Sequence, residues 1–82
     1  MDSKKAGPVR KARQRLGDKV EALIEEKGYP SLENFALANG FHKSTIHQVV
    51  RATADPRFST LFRIAEGLEM PLEDLMKGLS RK

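Results

Sequence analysis

The chain has 82 residues, no cysteine and no tryptophan, which fits one small domain burying roughly 60% of its unfolded surface and excludes disulfides and cysteine-ligated zinc or iron–sulfur sites. No apolar run approaches the ~20 residues needed to cross a bilayer, and Met1–Lys5 leads into no apolar stretch of the secretory kind, so a cytoplasmic protein is expected. The net charge of +4 is concentrated: residues 1–15 carry six basic groups against Asp2 alone, which points to a polyanionic partner for this end of the molecule.

Gly7-Pro8 breaks the chain, and Pro suits the first turn of a helix. Residues 1–8 are therefore expected to be a disordered basic arm, followed by a single domain over 9–82. From Val9 onward, Ala12, Leu16, Val20, Leu23 and Ile24 fall at helical spacing. Lys27-Gly28 gives a basic last turn and a Gly cap. Ser31 is a good N-cap for a helix over Leu32 to about Asn39, with Glu33 in its first turn and Phe35 and Ala36 buried. Gly40 punctuates, and a third helix runs from about Lys43 to Val50 or Arg51. A loop over 52–57 follows. Ser59 can cap a fourth helix to about Leu68, burying Leu61, Ile64, Ala65 and Leu68. Met70-Pro71 restarts the chain, and Leu72, Leu75, Met76 and Leu79 define a short fifth helix. No stretch alternates at period two, so the class is all-α, with five helices around one core.

Residues 32–51 hold the strongest signal. Ala36 is small enough for a second helix to approach, Gly40 permits a tight turn, and Ile46 anchors the second helix. That is the sequence form of a helix-turn-helix. With Lys43 set at zero and ~100° per residue, His47 lies at about 40°, Arg51 at about 80°, Ser44 at about 100° and Gln48 at about 140°. Ile46, Val49 and Val50 lie on the opposite arc, at about 300°, about 240° and about 340°. Lys43, Ser44, His47 and Gln48 are types that read base edges in the DNA major groove. Between Gly40 and Arg63, four cations (Lys43, Arg51, Arg57 and Arg63) face Asp55 alone, whereas Glu66, Glu69, Glu73 and Asp74 follow with no base up to Leu75. One end of the domain should attract polyanions and the other repel them.

On Leu16-Gly17, Phe35-Ala36, Gly40, Lys43-Ser44-Thr45-Ile46, Pro56, Ser59-Thr60-Leu61, Ile64-Ala65, Leu68, Leu72 and Leu75, residues 16–79 resemble the lambda-repressor-like, Cro-type helix-turn-helix family, also called XRE. The resemblance implies a five-helix DNA-binding fold with residues 43–51 as the recognition helix, and a homodimer on a palindromic operator. It places Leu72, Met76 and Leu79 at the dimer interface, although Met76 and Leu79 equally suit the monomer core. Three positions depart from the family pattern. Leu32 replaces a phosphate-holding Gln, Val50 replaces a Glu, and Ala52 replaces the Gly that ends the recognition helix. A non-Gly residue at 52 is expected to lengthen that helix or alter the next loop.

The expected function is a sequence-specific double-stranded-DNA-binding transcriptional regulator, a homodimeric repressor. Phosphate contacts are expected from Ser31, His42, Arg51, Arg57, Lys4, Lys5 and Arg10, with Arg63 as a further candidate. His42 caps the third helix, meets a phosphate or does neither. Arg10 to Arg15 either track DNA or face solvent. His42 and His47 lie about 140° apart on a helix and form no joint metal site. No nucleophile elbow or Gly-rich phosphate loop occurs, so neither an enzyme nor a cofactor is expected. The alternatives are an adaptor or antitoxin-type module with a protein partner, such as a toxin or the transcription machinery, and a non-specific DNA-coating protein. Aromatics make up only 6% of the chain, which disfavours binding by base stacking.

Overall fold

The computed structural model of the protein describes residues 3–79, with side chains over 7–79. The described residues form five helices: α1 (Ser3–Glu26), α2 (Leu32–Ala38), α3 (Lys43–Arg51), α4 (Phe58–Gly67) and α5 (Leu72–Met76). No strand occurs among them, and none of these helices is long and apolar enough to cross a membrane.

Every helix contributes to the interior: Val20 and Ile24, Phe35, Ile46, Ile64 and Leu75 are fully buried. Leu16 and Ile24 flank Val20 at four-residue spacing, so α1 lays one continuous stripe along the core. An aromatic chain crosses the α2 end. Tyr29 meets Phe35 edge-on at 5.2 Å, and Phe35 stacks with Phe41 at 6.2 Å. Among the described residues no charged or polar residue is buried, so the centre is held by apolar packing.

Four successive helices end in one hydrogen-bond pattern, in which two N–H groups turn back to the last carbonyls. After α2, Gly40 N–H reaches Leu37 O at 3.4 Å and Phe41 N–H reaches Ala36 O at 2.8 Å. Gly28 and Gly40 supply the positive φ after α1 and α2. After α3 and α4 the same place is taken by Ala52 (φ 59°) and Glu69 (φ 60°). The expectation for Ala52 is therefore corrected: α3 stops at Arg51, and Ala52 itself adopts the left-handed conformation. Ala52 N–H bonds Val49 O at 3.2 Å and Thr53 N–H bonds Gln48 O at 3.1 Å, which offsets the cost of that backbone.

Three further expectations are corrected. α1 begins at Ser3, ahead of the start expected at about Val9. Pro8 lies inside α1 but is exposed, so water can serve the carbonyl its missing N–H leaves free. The N-cap of α4 is Arg57, not Ser59. The Arg57 carbonyl accepts from Leu61 N–H at 3.0 Å and opens the ladder two residues earlier. Leu79 lies outside α5 and is buried in the monomer core. A tight turn with Gly78 at φ 82° brings it back, closed by Leu79 N–H on Met76 O at 3.4 Å.

The basic residues of α1 take a role that sequence did not anticipate. Arg13 pairs with Asp55 of the α3–α4 loop at 2.5 Å. Arg15 donates to Leu79 O at 3.0 Å, and Lys19 donates to Asp74 O at 2.5 Å and Lys77 O at 2.9 Å. These cations satisfy carbonyls at the end of α5. Arg10 and Lys11 are exposed.

α1 and α3 approach closely at Gly17, a buried residue of α1. A Cβ there would collide with the Val50 carbonyl and lie 2.7 Å from the Val49 carbonyl oxygen. We expect Gly17→Ala to destabilise the fold by about 2–3 kcal/mol, as overpacking does. Ala52→Gly should stabilise it by about 0.5–1 kcal/mol through relief of the left-handed backbone. Urea unfolding of both variants measures these changes. Lys27 donates to Glu69 at 2.8 Å. That bond, and then the lysine's charge, hold the Glu69 carboxyl below the ordinary carboxylate value. The resulting stabilisation is present above the unfolded value and is lost as pH falls through the folded one. In Lys27→Met, an NMR carboxyl titration should return Glu69 to its ordinary value.

Candidate nucleic-acid interface

α3 is fixed on one side only. Ile46 and Val49 are buried and Val50 is half-buried, whereas Lys43, Ser44, Gln48 and Arg51 are exposed. The height of α3 is set by Gly17 beneath its last carbonyls. Its start is set by the Gly40 turn. Arg63 ties down that turn, donating to Gly40 O at 3.0 Å while its guanidinium lies 4.4 Å over the Phe41 ring. Gly67 lets α4 approach the same corner, since a Cβ there would lie 2.8 Å from Asn39 Oδ1. Arg63 is thus a structural cation and not a free one.

The four expected base readers come together. Lys43, Ser44, His47 and Gln48 line one open depression, joined by Arg51, Thr53 and Glu33. Lysine and arginine offer donors, the glutamine amide offers both a donor and an acceptor, and the serine hydroxyl offers either. The set is suited to the edges of bases. His47 is half-buried, and its Nε2 lies 3.1 Å from Glu33 Oε2. The Glu33 carboxyl is held below the usual carboxylate range, first by a hydrogen bond from its own backbone N–H and then by His47. An ionised carboxylate only accepts, so Nε2 carries the hydrogen of this contact.

The expected phosphate contacts divide. Arg51 shares the depression. Arg57 is exposed at the start of α4, and Arg10 is exposed on α1. His42 is the N-cap residue of α3, exposed, and makes no side-chain capping bond. Ser31 is spent locally: its hydroxyl accepts Asn34 N–H at 3.1 Å and donates to Asn34 Oδ1 at 2.7 Å. Lys4 and Lys5 have side chains outside the described residues. Of the expected interface residues on α5, Leu72 is half-buried and Met76 exposed, while Leu79 belongs to the core.

Sequence reasoning missed Glu33 and Thr53 as neighbours of the expected base-reading set. Glu33 is on α2 and meets His47 across the turn, so no single-helix periodicity could pair them. Thr53 enters because Ala52 reverses the chain at the end of α3. The chain was compared with protein-family models, curated proteins and solved structures, and none of them matches it.

Proposed function

We propose that this protein is a sequence-specific double-stranded-DNA-binding regulator with a lambda-repressor-like helix-turn-helix, α3 being its recognition helix. The observation that carries the reading is the α3 face. Lys43, Ser44, Gln48 and Arg51 stand exposed together on a helix whose other side is locked into the core. The depression is open and lined by donors and acceptors of the types that read base edges in the major groove. Arg51 and Arg57 supply phosphate contacts, which fix position and make affinity salt-dependent.

The active form in this proposal is a homodimeric repressor on a palindromic operator, with half-sites about 34–36 Å apart. Leu72 and Met76 are the apolar α5 side chains left for a second copy. A protein-binding adaptor is the second reading. It draws support from Phe58 and Phe62, which stack at 6.4 Å and stay exposed on α4, because apolar surface of this kind marks contact sites.

Selection from random duplex DNA at near-physiological salt tests the proposal. An enriched inverted repeat is expected. A folded protein that enriches nothing would favour the adaptor. On the enriched duplex, Gln48→Ala should cost about 1–3 kcal/mol and relax choice at one base pair. Arg51→Gln should weaken all duplexes alike and reduce the salt slope by about one. Fluorescence anisotropy across a salt series measures both effects.

A further inference from the structure

We propose that Glu33 is a specificity-determining residue of the α3 face, whose carboxylate selects a base-pair amino group, that of cytosine foremost, and turns phosphate away from the start of α2. The inference rests on the DNA-binding reading of α3 and deepens it. Glu33 lines the same depression as Lys43, Ser44, His47 and Gln48, although it comes from another helix. Its side chain keeps 54% of its exposure and that of His47 keeps 30%. The pair therefore faces outward at the mouth of the site.

Two consequences follow from the chemistry of a carboxylate. It accepts hydrogen bonds and donates none. In the major groove it is matched by the exocyclic amine of cytosine or adenine, and opposed by guanine O6 and N7 and thymine O4. Lys43 and Arg51 present the opposite preference from the same depression. The face is therefore patterned in donors and an acceptor instead of being uniformly cationic. Glu33 also fixes His47. Its Oε2 lies 3.1 Å from Nε2 and so holds the imidazole ring in place. Phosphate meets a negative charge here, and the Ser31 hydroxyl beside it is already occupied by Asn34. The contact expected at Ser31 is accordingly disfavoured.

The test compares wild type, Glu33→Gln and Glu33→Asp as full chains, each shown to be folded by thermal melting. The probes are the duplex that wild type enriches, its single-base-pair variants and a scrambled duplex of equal length. Anisotropy gives the affinities. Glu33→Gln should lower discrimination at one base pair about tenfold and tighten binding to the scrambled duplex. Glu33→Asp keeps the charge but shortens the reach, so it should lose the base preference without tightening on the scrambled duplex. A folded Glu33→Gln with wild-type preference at every position would overturn the role of Glu33 while leaving α3 as the reader. Equal weakening on all duplexes would also overturn it, by showing a merely structural role. If wild type enriches no duplex, the reading of α3 falls, and this inference falls with it.

Discussion

The missing side chain at Gly17 is the constraint on which the rest depends. α1 is the longest helix and carries the stripe Leu16, Val20 and Ile24. α3 can settle against it only because residue 17 puts no atom in the path of the Val49 and Val50 carbonyls. That contact fixes how deep α3 sits. Ile46 and Val49 then fix its rotation, and the polar side chains of the helix are left facing outward together. A tight approach at one end and a tight turn at the other hold a short helix without a large core.

The charges serve two separate purposes. Arg13, Arg15, Lys19, Lys27 and Arg63 are engaged with carboxylates, carbonyls or an aromatic ring within the chain. They hold the α3–α4 loop, the end of α5 and the α2–α3 turn. Lys43, Arg51 and Arg57 are exposed and make no such contact among the described residues. The net charge alone therefore overstates the cationic surface open to a partner. Most paired groups are at least partly exposed, so each pair adds little stability by itself. Their effect is to select one arrangement of loops around the core.

Much of this was legible in the sequence. The helices follow from apolar spacing and from the Ser31 and Gly28 caps, and the division of α3 into polar and apolar arcs follows from angular arithmetic alone. What stayed hidden depends on contacts between elements. The Glu33–His47 pair bridges two helices, and Arg63 looks like any free arginine until Phe41 lies beneath it. Gly17 reads as an ordinary helical residue until the α3 backbone is set against it. Leu79 keeps helical spacing with Leu72 and Leu75, yet the turn at Gly78 sends it into the core. Ala52 shows the reverse case, in which a residue with no preference for the left-handed region adopts it because two backbone hydrogen bonds hold it there.

The most direct test of the account is a titration of isotopically labelled protein with duplex DNA, followed by amide and side-chain NMR shifts. The account predicts the largest changes at Lys43, Ser44, His47, Gln48, Arg51 and Thr53, with α5 unaffected in the protein–DNA contact. Largest changes on α4 around Phe58 and Phe62, or on the acidic residues of α5, would contradict it, as would no change at all.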